Sequence, residues 1–303
     1  MAGTRRVGHA GTLDPFATGL LLLAWGRATR LLTFLSGASK TYRAVMRLGV
    51  VTDTGDPTGR VLSSIVPGPD AFDPARIEAA AAAFRGPIAQ RAPAYSAVKQ
   101  GGEALHRKAR RGEVVEPPVR SVTIHALTVG EIDAAAGTIA FEVTCSSGTY
   151  IRSLAEDLGR ALGSGGSLVS LRRTAIGPHL AEGAIPTEDL LERPIGSIPE
   201  WNLRLVAAGL TPEGALAFLP GLPLEPAEAD ALGQGRAPSR ARALAAGVPA
   251  GTAALRLTDT RGALLAVAAV PADAAEAPEA PLELRLVWAT ADAAEERELE
   301  TGA

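Results

Sequence analysis

Gly8-His9-Ala10-Gly11-Thr12-Leu13-Asp14-Pro15, continued by Phe16-Ala17-Thr18-Gly19, is the stretch from which the rest of the chain is read. It sets three glycines, a histidine, a carboxylate and a proline within twelve residues. Glycine permits positive φ and close approach of backbone to another group. Pro15 fixes the local turn and disfavours helix at Asp14. Asp14 is therefore expected on a rigid loop, a common place for a functional carboxylate. A plain turn cap is the alternative. With the apolar run Leu20–Trp25 that follows, Gly19–Trp25 is expected to form a fully buried strand.

The 303 residues suffice for two domains, and 47% hydrophobic composition is that of a folded chain with a core rather than a disordered one. The net charge of −3 hides an asymmetry. Residues 1–180 carry 21 Lys+Arg against 14 Asp+Glu, whereas residues 181–303 carry 9 against 19. A polyanion would thus bind the front half. Arginine outnumbers lysine 27 to 3, which by itself is weak evidence for nucleic acid. Cys145 is the only cysteine, excluding an intrachain disulfide and a cysteine-based metal cluster and fitting a reducing compartment. The apolar run near Leu20 is too short to span a bilayer. A cytoplasmic protein without membrane segments is expected.

Further along, Arg27–Leu35 predicts a short helix ending at Gly37. Lys40–Leu48 alternates as a strand, with Tyr42, Ala44, Met46 and Leu48 on one face. A helix from Pro74 to Phe84 is capped by Asp73 and ended by Gly86. Residues 91–99 read as irregular or as an edge strand, because Pro93 cannot donate to a central ladder. Glu103–Arg111 reads as a basic helix. Residues 85–120, which include Lys99, Arg107 and Lys108, hold eight basic against three acidic residues, either a solvated face or a phosphate-binding one. Val122–Val129 and Thr138–Cys145 predict a hairpin. A helix follows, with an apolar stripe of Ile151, Leu154, Leu158 and Leu162 and Gly163 as C-cap. Tyr150 and Arg152 lie in its first turn, off that stripe. A cation there opposes the macrodipole, so Arg152 calls for a nearby carboxylate. Leu168–Ile176 reads as a strand. Beyond a shift in composition near residue 195, a short helix (Glu225–Leu232) and three strands (Ala253–Leu257, Leu264–Val270, Leu282–Trp288) suggest a small β domain. Residues 271–281 and the tail after Asp292 read as mobile loops.

Gly8–Gly19 followed by Lys40-Thr41-Tyr42-Arg43, Arg47-Leu48-Gly49 and Thr52-Asp53-Thr54-Gly55-Asp56 resembles the bacterial TruB family of tRNA pseudouridine-55 synthases. Tyr95-Ser96-Ala97-Val98-Lys99, Gly148-Thr149-Tyr150-Ile151-Arg152-Ser153-Leu154 and Leu171-Arg172-Arg173 extend the match in the same order. Residues 219–288 resemble, more weakly, the family's small PUA-like domain.

The resemblance implies an α+β fold: a mixed, mostly antiparallel sheet with flanking helices, plus a small C-terminal β-rich PUA-like domain. It divides the chain into a catalytic domain (1–195), a linker (196–218), an RNA-binding domain (219–292) and an acidic tail (293–303). It implies isomerisation of one T-loop uridine of tRNA, the base being detached at N1, rotated and rejoined through C5 by a monomer needing no metal or organic cofactor. The family's catalytic aspartate falls on Asp14, its base-stacking tyrosine on Tyr42 and its aspartate-pairing arginine on Arg152. His9 matches the histidine that meets the T-loop, and Leu171 an apolar wall of the uracil pocket. Tyr150, Lys40, Arg27, Arg30, Lys99, Arg107 and Lys108 are implied RNA contacts. A stacked base must be flipped out, and an aromatic face gives about 1–3 kcal/mol of stacking. The bland alternatives are a core aromatic for Tyr42, a surface ion pair for Arg152, a loop hydrogen-bonder for His9 and core for Leu171. Arg172 and Arg173 are indistinguishable from structural arginines.

One departure stands out. The family has a strand and a Lys-Pro-x-Gly turn before its Gly-His loop, whereas here Met1 lies seven residues before Gly8. Either the start is assigned too late or the strand is truly missing, and a missing strand would leave a sheet edge or core face uncovered. The alternative function is a truncated tRNA-binding or RNA-folding protein with little catalysis.

Overall fold

The computed structural model describes residues 6–93, 95, 99–100, 103–104, 111, 117–188 and 209–288. Of these, residues within 9–23 and 36–186 form one compact unit, and those within 1–8, 24–35 and 187–303 another.

In chain order, β1 (Val7–His9) pairs with β3 (Leu23–Trp25), and β2 (Thr18–Gly19) lies between them in sequence. A 3-10 turn over Gly26–Leu31 runs into α1 (Leu32–Gly37). Then come β4 (Lys40–Leu48), the hairpin of β5 (Val50–Thr52) and β6 (Val61–Ser64), α2 (Pro74–Ala82) and β7 (Gly86–Arg91). The short β8 (Lys99–Gln100) and β9 (Glu103–Ala104) pair with each other. β10 (Val119–Asp133), β11 (Thr138–Cys145), α3 (Ile151–Ala161), β12 (Gly166–Ile176) and β13 (His179–Leu180) complete this part.

Its main sheet runs β13-β12-β4-β11-β10-β7, antiparallel throughout, and β2 adds to β12 in parallel. The alternation read from β4 holds: Ala44, Met46 and Leu48 are buried on one face, with Tyr42 half-buried in line with them. All four residues of the predicted stripe on α3 are buried against this face, together with Ile77 of α2. Asp73 caps α2 by accepting a hydrogen bond from the Arg76 backbone N–H, and Pro74 needs no partner at that position. The β10–β11 hairpin turns at residues 134–137, where Gly137 has a φ of 70°.

Two local expectations in this stretch of the chain are overturned. Leu20–Trp25 is not a continuous buried strand: only Leu20 and Ala24 are buried, and Leu21, Leu23 and Trp25 are exposed. Here β2 pairs with β12 and β3 with β1, and the chain between them carries no strand. Glu103–Ala104 is strand rather than the start of a helix; residues 105–110 lie outside the described set.

In the second unit, α4 (Pro212–Ala215), β14 (Gly221–Pro223), α5 (Pro226–Gly233) and α6 (Arg240–Ala245) precede β15 (Leu255–Thr258), β16 (Leu264–Ala269) and β17 (Glu283–Val287). The sheet order is β14-β15-β16-β17. The predicted small β domain is present, with a parallel edge strand that its three-residue length hid from the sequence. Glu225 and Glu228 form a capping box on α5. Residues 271–281 are tied down rather than loose: Ala274 is fully buried, and the carbonyls of Pro278 and Ala280 accept from Ala241 and Arg240 of α6. No helix among the described residues is long and apolar enough to cross a membrane.

Candidate active site

Asp14 begins a turn in which the Ala17 N–H donates to the Asp14 carbonyl at 2.9 Å, with Pro15 at the second position. The turn-cap reading is correct for its backbone, and the side chain is thereby left to do something else. Both carboxylate oxygens accept from Arg152, Oδ2 from Nε at 2.9 Å and Oδ1 from Nη2 at 2.8 Å. This is the bidentate fork that a guanidinium makes with a carboxylate. Arg152 is the second residue of α3, whose N-cap Tyr150 has an extended backbone. Its guanidinium also donates to the carbonyls of Thr54 (2.8 Å) and Tyr95 (3.1 Å), and Nη1 lies 3.8 Å from Asp56 Oδ2. The side chain of Arg152 is 5% exposed and that of Asp14 31%. A buried cation thus holds a carboxylate that still faces solvent.

Asp56 is locked by its own loop, accepting from Thr54 Oγ1, Thr58 Oγ1 and the Thr58 N–H. The peptide before α3 is held by Gln90, whose buried amide accepts from the Tyr150 N–H (2.8 Å) and donates to the Tyr150 carbonyl (3.0 Å). Asp56 and Gln90 carried no role in the sequence reading. For Asp56 the signal was present, as one more carboxylate in the Thr-Asp-Thr-Gly-Asp run. For Gln90 nothing in one sequence points to it.

The loop is fastened to the sheet. Thr18 and Gly19 pair with Arg172 and Arg173, and Leu20 N–H donates to the Arg173 carbonyl at 2.8 Å. Gly19 has φ 101°, and a Cβ there would collide with the Arg173 backbone. Tyr42 stands opposite Arg173 across β4 and β12. Burial pushes the Tyr42 phenol above its usual pKa; the Arg173 charge opposes that shift, and Asp14 adds weakly to it. Leu171 is buried in the core cluster on which Tyr42, Phe16 and Ala17 pack.

The other expected RNA contacts fare differently. His9 and Arg30 are exposed, and Tyr150 is half-buried. Lys40 is 6% exposed, and its Nζ donates to the carbonyls of Ser36 and Ala38, so its charge is turned inward rather than offered to phosphate. Burial and the nearby Arg173 lower its pKa. Arg27 lies over the Trp288 ring, 4.6 Å from its centroid, within the second unit. The expectation that Lys40 presents its charge at the surface misread a strand-end lysine whose stem turns under the loop. The side chain of Lys99 and all of Arg107 and Lys108 lie outside the described residues.

The same fold recurs in solved structures. A chain of a Cbf5-Nop10-Gar1 complex superposes with a TM-score of 0.65 at 24% identity, over 94% of this chain and 76% of that one. A chain of the archaeal box H/ACA sRNP Nop10-Cbf5 complex gives 0.64 at 22% identity, over 95% and 78%. Residues 1–151 match the N-terminal domain of the TruB family pseudouridylate synthases, and residues 152–195 match the tRNA pseudouridylate synthase B C-terminal domain. The class is therefore that of the pseudouridylate synthases. Within it, this chain belongs to the TruB family. The protein named tRNA pseudouridine synthase B of Arthrobacter sp. (strain FB24) is 42% identical over 270 residues, 88% of this chain and 82% of the relative. That of Synechococcus sp. (strain WH7803) is 50% identical over 73% of this chain and 71% of its own. The match to the Cupriavidus metallidurans protein of the same name, 48% identical, covers 61% of this chain and 58% of that relative's length.

Proposed function

We propose that this chain converts one uridine in the T-loop of tRNA (position 55) to pseudouridine, with Asp14 as the essential carboxylate. The observation that carries the reading is the Asp14–Arg152 fork, in which a cation with a 5% exposed side chain aims a partly open carboxylate out of a fastened loop. The target base is flipped from its stack and received between Tyr42 and Leu171. In the net reaction the C1′–N1 bond breaks, a C1′–C5 bond forms, the C5 proton leaves and N1 gains one. His9 and Arg30 are exposed to meet the RNA. We assign residues 1–195 to catalysis and 219–292 to RNA binding, in a monomer acting in the cytoplasm.

Unmodified tRNA incubated with the protein and mapped by carbodiimide-stop sequencing is expected to gain one T-loop stop. Asp14→Asn is expected to bind tRNA normally and to leave no stop. Full turnover by that variant overturns the assignment of Asp14. tRNA binding with steep salt dependence but without isomerisation, in the wild-type chain, overturns the catalytic reading in favour of an RNA-binding protein.

A further inference from the structure

We propose that Arg173 is the positioning residue of the Asp14 loop: from beneath, it sets where the carboxylate stands without touching substrate. The proposal rests on the catalytic reading above. Arg173 sits on β12 and is 1% exposed. Its guanidinium donates to three carbonyls of one loop: Nε to Leu20 at 2.7 Å, Nη2 to Gly11 at 3.1 Å and Nη1 to Thr12 at 3.4 Å. These partners lie on both sides of Asp14 in sequence. One rigid fork therefore ties the two arms of the loop, and the Arg173 backbone adds the Leu20 and Gly19 contacts from the same point.

Three features separate this clamp from ordinary core packing. First, a buried charge is expensive when its partners are neutral carbonyls, and an apolar side chain of similar volume would fill the space at lower cost. Five N–H donors in a fixed plane supply what such a side chain lacks, namely direction. Second, the contacts fall on the loop that carries Asp14. Gly11 has φ 122°, and a Cβ there would stand 3.7 Å from Arg173 Nη1, so the loop backbone passes directly above the guanidinium. Third, Arg173 faces Tyr42 across the sheet, so one cation is shared by the loop and by the tyrosine expected to receive the base. Arg172, one position earlier in the sequence, is exposed and pairs with Thr18 along the strand, whereas the carbonyls of Gly11, Thr12 and Leu20 are held by the Arg173 side chain, which makes Arg172 a matched control.

The test uses the full chain as wild type, Arg173→Lys, Arg173→Met and Arg172→Lys. Single-turnover isomerisation of unmodified tRNA separates rate constant from amplitude: amplitude reports the folded, competent fraction, and the rate constant reports placement of the carboxylate. Amide exchange at Ala10, Ala17 and Leu20, compared with β4, reports the loop directly. Lysine keeps the charge but cannot span three carbonyls. Arg173→Lys is expected to keep tRNA affinity and amplitude, to lose on the order of 10- to 100-fold in rate constant, and to exchange faster in the loop only. Arg172→Lys is expected to match wild type in all readouts. A wild-type rate constant in Arg173→Lys, or a loss confined to amplitude, overturns the proposal and leaves Arg173 a packing residue. Should Arg173→Met fail to fold, the lysine variant decides. Should wild type itself leave tRNA unmodified, the catalytic reading fails, and unchanged loop exchange in Arg173→Lys overturns the clamp independently.

Discussion

Three cations meet the Asp14 loop or its supports, and each has a different job. Arg152 faces the carboxylate, Arg173 the loop backbone, and Lys40 the carbonyls of Ser36 and Ala38. Sequence reasoning found the first because a cation in the first turn of a helix opposes the dipole and so demands a partner. It could not rank the other two, since a strand residue's burial is invisible when charge and alternation disagree. Tyr42 and Cys145 offer direct checks on this environment. Burial raises the Tyr42 pKa above its ordinary value of 10.0. Between those two values the folded chain keeps a proton that the unfolded chain has lost. The contribution to stability is therefore present in full below the ordinary value and is lost as pH rises through the folded one. Phenolate absorbance is expected to show a late-titrating component that Tyr42→Phe removes, and alkaline destabilisation is expected to be milder in that variant. An early, single-step titration of all tyrosines in the native protein contradicts this burial. The Cys145 thiol, pushed up to about 11 by burial, is expected to resist iodoacetamide at neutral pH in the native state and to react in denaturant. Rapid native labelling contradicts its placement.

Most elements were legible because their patterns were local. The strip of apolar residues on α3, the Asp73-Pro74 start of α2 and the alternation of β4 each state their own period. The run after Gly19 failed because its apolar residues serve several neighbours at once: β2 pairs with β12, β3 pairs with β1, and Leu21 and Leu23 remain exposed. Composition alone cannot divide a run between partners that lie far away in the sequence. The junction itself is specified by Gly19, where φ is 101° and the Arg173 backbone leaves no room for a Cβ. Gly19→Ala is expected to cost at least about 1–3 kcal/mol in urea unfolding, from the disfavoured φ and the collision together. It is also expected to lower turnover by displacing the loop arm that follows Asp14. Gly183→Ala is the control: no atom lies within 4 Å of a Cβ there, and its φ needs no glycine, so stability within about 0.5 kcal/mol of wild type is expected. Equal behaviour of the two variants contradicts the role of Gly19.

At the scale of the whole molecule, the asymmetry of charge is the feature that neither fold unit explains by itself. The basic residues concentrate in 1–180, which contains Asp14 and every side chain of the site, and the acidic excess lies in 181–303. Where a polyanion binds, each neutralised phosphate releases condensed counterions, so log affinity falls with log salt in proportion to the contacts made. Arg30 is exposed in the basic half, and Arg261, in the acidic half, has 90% of its side chain open. Arg30→Glu is expected to weaken tRNA binding and to reduce the salt slope by about one contact. Arg261→Glu, an equal change in net charge, is expected to alter neither slope nor affinity by a comparable amount. Filter binding of tRNA across a salt series, with all three chains side by side, distinguishes a local phosphate contact from a response to net charge. If the two variants lose affinity equally, binding follows the total charge of the chain, and the basic half has no privileged face. If only Arg30→Glu loses affinity, the polyanion makes a phosphate contact at Arg30 itself, and because Arg30 and Arg261 belong to the same compact unit the difference between them is one of position and not of total charge.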